Sequence, residues 1–201
     1  MIRRPKLTPG AASLPEGAMP KEAGGFENHE LCSRCKGQCC RHVPGATHPS
    51  DWKSQRALTK ALIAGLYAVD AWENTRYEDI RPDKVYYVRP AIVYDLHDVR
   101  VYDLTRGGPC VFLEDTGCRL QLPQRPLECR MLEPRSGFFG RGTSHCWGHV
   151  SRRQTVLAWL PYQRVLEKAG ERAVAWRARQ KERYRARAAQ PFKQNRAKER
   201  S

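Results

Sequence analysis

Residues 32–40 read CSRCKGQCC, so four cysteines crowd into one short stretch and the last two are adjacent. The full set is Cys32, Cys35, Cys39, Cys40, Cys110, Cys118, Cys129 and Cys146. An even number of cysteines fits a disulfide framework in a small secreted protein. Against that, the 201-residue chain is long enough for a core of its own. After Arg3 and Arg4, moreover, Pro, Gly, Glu and Lys interrupt every apolar run that could serve as a secretory signal. The expectation is a soluble, cytoplasmic chain, and a reducing compartment turns clustered thiols into metal ligands rather than cystines.

The spacing agrees. Cys32-x-x-Cys35 brings two sulfurs to one centre through a short loop that costs little closure entropy. Cys39 and Cys40 resist a single zinc site, because adjacent side chains diverge by about 100° on a helix and by half a turn on a strand. They are easier to place if each serves a different metal atom or centre, as the fourth cysteine of a bacterial ferredoxin run does. Eight thiols make two sets of four, and unliganded spares would be prone to oxidation. The second group, Cys110-x7-Cys118-x10-Cys129, with Cys146 beyond, has no zinc-finger spacing. Gly107, Gly108 and Pro109 place a turn before Cys110, and Gly117 offers one before Cys118. Arg119, Arg125 and Arg130 lie close in sequence to these thiols and would offset thiolate charge.

Together, Cys32-x2-Cys35-x3-Cys39-Cys40 and the downstream Cys110-Val111-Phe112-Leu113, Gly117-Cys118 and Arg125-Pro126-x-x-Cys129-Arg130 resemble the YkgJ-type cysteine-cluster family, described as zinc- or iron-chelating. The match covers about residues 26 to 150, and both halves occur in the family's order. The resemblance implies that all eight cysteines are metal ligands in a bacterial, cytoplasmic protein, and it implies little about reaction. A related cysteine module in flagellin lysine methylases is linked to an iron–sulfur cluster, which favours a 4Fe-4S type cluster, with Zn2+ as the alternative. The chain departs from the family pattern after Arg130, where Met131-Leu132-Glu133-Pro134 replaces a Pro-Phe-like ending.

Six histidines, His29, His42, His48, His97, His145 and His149, are expected at ordinary surface positions or as hydrogen-bond partners, since eight thiols already supply the ligands. No P-loop or nucleophile elbow is present, and GFFGRG at 137–142 lacks a strand before it. A redox or modifying enzyme using Fe–S chemistry is therefore an alternative without assigned catalytic residues.

The expected fold is α+β, a small metal-stabilised domain with a central helix and a short hairpin. Residues 1–25, rich in proline and without apolar periodicity, read as a disordered arm. Residues 26–150 read as the cysteine-cluster domain and 151–201 as a basic helical extension. Leu58, Leu62, Leu66 and Val69, with Ile63 and Trp72, predict a helix over about 51 to 73 capped by Ser50 or Asp51. Alternation of Ile92, Tyr94 and Leu96 with Val99, Val101 and Asp103 predicts a hairpin turning at His97-Asp98, and Pro90 limits one ladder.

Helix returns at Arg152, stops at Pro161, and resumes with Tyr162, Val165, Ala169, Ala173 and Trp176 facing the domain. The net charge of +15 is concentrated there. Residues 151–201 carry 15 Lys and Arg against 4 acids, while residues 1–150 carry 21 against 17. Arg177, Lys181 and Arg185 share one helix face, and Arg179, Arg183 and Arg187 lie about 200° around it. These residues, with Tyr184 and Phe192 as stacking surfaces, are candidates for nucleic acid, RNA above all, and a zinc-dependent RNA adaptor is a further alternative. No segment approaches the ~20 apolar residues of a membrane span.

Overall fold

The computed structural model describes residues 25–42, 44–73, 84–93, 100–104, 107–135 and 146–188. The N-terminal arm, the turn at His97-Asp98, His145, GFFGRG and Phe192 lie outside the described residues. No described helix is long and apolar enough to cross a membrane. The class is mixed α+β: among the described residues, several short helices, one 26-residue helix and three two-stranded antiparallel sheets.

The first helices are α1 (His29–Cys35) and α2 (Gln38–His42). Asn28 caps α1 by accepting the Leu31 amide at 2.9 Å. Lys36 and Gly37 both take positive φ and reverse the chain into α2. A 3-10 turn at Pro49–Asp51 follows, capped by His48.

The expected long helix is shorter. α3 spans Gln55–Ile63, and its cap is Ser54, whose hydroxyl accepts the Ala57 amide at 3.2 Å. Asp51 is engaged elsewhere, accepting the Leu127 amide and the Arg130 guanidinium at 2.9 Å each. Gly65, at φ +73°, ends the helix. Its amide reaches Leu62 and that of Leu66 reaches Ala61, the two bonds of a Schellman turn. Residues Tyr67–Glu73 then form strand β1, not helix.

β1 pairs antiparallel with β2 (Lys84–Pro90), from Tyr67↔Pro90 to Glu73↔Lys84. The described strand pair therefore joins the end of the expected helix to Lys84–Pro90, which precedes the hairpin predicted over 92–103. Residues around Val101 run parallel beside β1, with the Val69 amide donating to Val101 at 2.8 Å and the Asp103 amide to Val69 at 2.9 Å. Past β2 the chain continues extended, and Ile92 bridges Cys110 antiparallel. This continuation carries the sheet to the cysteines. β3 (Leu113–Glu114) and β4 (Gly117–Cys118) make a tight hairpin, followed by α4 (Leu127–Arg130). β5 (Leu132–Pro134) pairs with β6 (Cys146–Gly148).

The helices after residue 151 are as expected: α5 (Arg152–Leu157), a 3-10 turn at Leu160–Tyr162, and α6 (Gln163–Ala188). They do not form a separate layer. Val156, Trp159, Val165, Leu166, Ala169 and Ala173 belong to one core with Leu58 and Leu62 of α3 and Val69, Val85 and Val88 of the sheet. Each large apolar side chain buried there contributes ~1.5–3 kcal/mol. Trp176, expected to face the domain, is exposed.

Thr47 ties this core to the cysteine region. Its hydroxyl donates to Val88 at 2.9 Å and accepts the Trp52 indole at 3.2 Å, and its carbonyl accepts the Trp159 indole at 2.6 Å. A buried charge network lies on the sheet. Arg89, 1% exposed, pairs with Asp70 at 2.6 Å and Asp103 at 3.1 Å, while the Tyr87 hydroxyl donates to Asp70 at 3.0 Å. Removing one member of such a network strands the others in low dielectric. Arg89→Ala is therefore expected to lower unfolding free energy by ~3–5 kcal/mol in urea denaturation, and Arg89→Met with Asp70→Asn and Asp103→Asn to recover part of it.

Candidate metal centre

The sequence dictates each placement locally. Cys32 and Cys35 sit three apart on α1, hence on one face, near its C-terminal end. The positive-φ pair Lys36-Gly37 then swings Cys39 and Cys40 of α2 back toward them. Cys110 is held by backbone bonding on both sides. Its amide donates to the Cys40 carbonyl at 2.8 Å, and the amide of Val111 donates to Ala91 at 2.9 Å. Cys118 ends the β3–β4 turn, where Gly117 takes φ +122°. Cys129 rides on α4 and Cys146 on β6.

The seven cysteines 32, 35, 39, 40, 118, 129 and 146 line one cavity of about 320 Å³. Cys110 is buried beside it, its amide donating to the Cys40 carbonyl at 2.8 Å. All eight are free thiols. Among the described residues no three His, Cys, Asp or Glu side chains form a group able to hold a single ion. The thiols surround a space rather than converging on a point.

The adjacent pair does not diverge as the sequence led us to expect, because Cys39 and Cys40 Sγ lie 3.9 Å apart. Their other neighbours do differ. Cys39 meets Cys146, whose field is shared with Cys32 and Cys35. Cys40 meets Cys110 and Cys118. Cys129 feels Cys110 first and Cys39 second.

Hydrogen bonds among sulfurs decide which thiols ionise. Donation from Cys146, then from Cys40, pulls the Cys39 thiol down to about 3 against the opposing effect of burial. Cys40 also lowers Cys110 and brings Cys118 to about 6, where the Leu120 amide and the Arg125 charge assist. The donors move the other way, so Cys40 and Cys146 are held protonated. Burial raises Cys32 and Cys129. Like charges so close cannot all appear at once without cations.

Of the three arginines singled out, one faces the thiols. Arg125 lines the cavity, donating to the Leu120 carbonyl at 2.9 Å and pairing with Glu27 at 2.7 Å. Arg119 is exposed over the Phe112 ring, and buried Arg130 pairs with Asp51. His42 lines the cavity, whereas His149 stacks on Phe26 and bonds Glu133 at 2.9 Å.

Two residues outside the expected set complete the wall. Glu128 accepts the Ala46 amide at 2.5 Å and the Arg152 guanidinium at 3.1 Å, and Arg152 also donates to Pro44 at 2.8 Å. Arg152 belongs to the segment read from sequence as an extension, and only the close approach of α4 and α5 reveals its place.

The basic candidates stand apart from the cavity, on α6. Arg177 is turned inward, donating to the Ile63 carbonyl at 3.2 Å and the Leu62 carbonyl at 2.9 Å, so it caps α3 rather than facing solvent. Arg179, Lys181, Arg183 and Arg185 are exposed; Arg187 lies within α6, its side chain outside the described residues.

Comparison of the chain with protein-family models, curated proteins and solved structures gives no match.

Gly45 touches the site most tightly. A Cβ there would stand 2.5 Å from Cys129 Sγ and 3.1 Å from the Cys129 amide, whereas one at Gly148 would meet nothing nearer than 3.7 Å. Gly45→Ala should lose ~1–3 kcal/mol of stability in urea denaturation through overpacking, with Gly148→Ala close to the parent.

Proposed function

We propose that the protein is a metal-binding protein whose eight cysteines ligate iron–sulfur centres of 4Fe-4S type, four thiolates to a cluster, with Zn2+ as the alternative cargo and no catalysis assigned. The observation that carries this reading is the thiol-lined cavity of about 320 Å³. A zinc ion bound by four thiolates at about 2.3 Å leaves no free space inside its own tetrahedron. A thiol-lined cavity of about 320 Å³ suits a larger inorganic core. The resemblance to the YkgJ-type family points the same way.

The neighbour relations divide the ligands into Cys32, Cys35, Cys39 and Cys146 on one side and Cys40, Cys110, Cys118 and Cys129 on the other. The adjacent pair Cys39-Cys40 thereby hands one sulfur to each set. A bound centre would supply redox chemistry or structural cross-linking. The chain's own residues would place thiolates, supply counter-charge from Arg125 and Arg152, and donate the Phe112 amide toward Cys110 Sγ, 3.5 Å away. Because ligands from both ends of the domain meet here, metal binding would contribute directly to folding free energy.

Anaerobic purification with iron, sulfide and zinc analysis tests this. The expected result is about four or more irons per chain with matching sulfide and visible absorption, while about two zincs without colour would select the alternative. A folded chain with neither metal overturns the proposal. Removing the metal with a chelator should lower the thermal midpoint, and Cys40→Ser should disturb loading more than Lys53→Ala, which lies off the cavity.

A further inference from the structure

We propose that the distal turns of α6 form an RNA-binding rod, a role separate from the cysteine cavity. Up to Ala173 the helix is committed to the core, and at Arg177 it is clamped to the end of α3 by two guanidinium–carbonyl bonds. Beyond that clamp, every residue from 178 to 186 is exposed except half-buried Gln180. The stretch 178–188 continues for about 16 Å at 1.5 Å per residue, held in direction by the docked half. It carries Arg179, Lys181, Arg183, Arg185 and Arg187 against a single acid, Glu182.

The distribution of these groups selects the partner. Arg179 and Arg183 share one face, and Lys181 and Arg185 lie roughly opposite at about 100° per residue. Charge on both sides is of little use against a flat acidic protein surface, which meets one face. The same arrangement provides no apolar face for a membrane. It suits a helix enclosed by phosphates, as in the loops and widened grooves of folded RNA.

Tyr184, 77% exposed, stands between Arg183 and Arg185. A solvated aromatic flanked by guanidinium groups can stack on an unpaired base, which intact duplex DNA does not present.

Fluorescence anisotropy with the full chain, loaded with its metal, and a labelled stem-loop RNA tests the proposal. Four phosphate contacts predict a log–log salt slope of about −3, so binding should weaken about 50-fold between about 50 and about 200 mM salt. The combined variant Arg179→Gln, Lys181→Gln, Arg183→Gln and Arg185→Gln should lose this binding while keeping its metal content and helicity. Tyr184→Ala should weaken it about tenfold, within the range for one stacked base. Equal affinity for duplex DNA or for polyglutamate, full binding by either variant, or no RNA binding by the folded chain overturns the assignment.

Discussion

The packing of seven sulfurs around one space, with Cys110 buried beside it, is the constraint to which the rest of the domain answers. Thiols are soft and weakly polar, and packed together in a protein they behave as small hydrophobes until they ionise. Hydrogen bonding between neighbouring sulfurs lowers the accepting thiols Cys39, Cys110 and Cys118 and raises the donors Cys40 and Cys146, with burial and like charge secondary. The protein surrounds this latent negative charge with Arg125 and Arg152 at the cavity wall. Arg125 is held by the Leu120 carbonyl and the Glu27 carboxylate, and Arg152 by the Pro44 carbonyl and the Glu128 carboxylate, so the positive charge is fixed in place before any cation arrives.

Much of this was legible in the residues themselves. Cysteine spacing marked the two groups, and glycine before Cys118 marked a turn that does take positive φ. The break at Pro161 separated two helices that do form. The central helix was read too long because apolar periodicity runs on through Leu66 and Val69, which are half-buried and buried. What decides the matter is Gly65, which costs nothing in the left-handed region and lets Leu66 and Gly65 close a Schellman turn. A hydrophobic pattern alone cannot distinguish a helix that continues from one that ends and leaves its next apolar residues to a strand.

Other features were illegible because they depend on contacts between distant segments. Arg152 reads as one more basic residue in a basic tail, yet it joins Glu128 and Pro44, which lie far from it in the chain. Nothing in the sequence singles out Arg89, yet it is the centre of a buried ion network whose acids come from β1 and the segment after residue 100. Arg177 reads as part of a uniform stripe, yet its guanidinium satisfies the carbonyls that the end of α3 leaves open. In each case composition gives the charge and topology assigns its partner.

The cavity and the apolar core are mechanically one unit, and the segment 44–47 is the reason. At one end Gly45 packs its backbone against Cys129, so closely that a methyl group has no room. At the other, Thr47 is locked to β2 and to two indoles, one of them the fully buried Trp159 between α5 and α6. Any shift of α4 that moves the Cys129 sulfur must therefore move the wall of the core or break these hydrogen bonds. Close-packed interiors transmit such displacements rather than absorb them. The position of one thiol is thus set by tryptophans distant in sequence, and the C-terminal helices that supply one of those tryptophans are part of the cysteine site's framework.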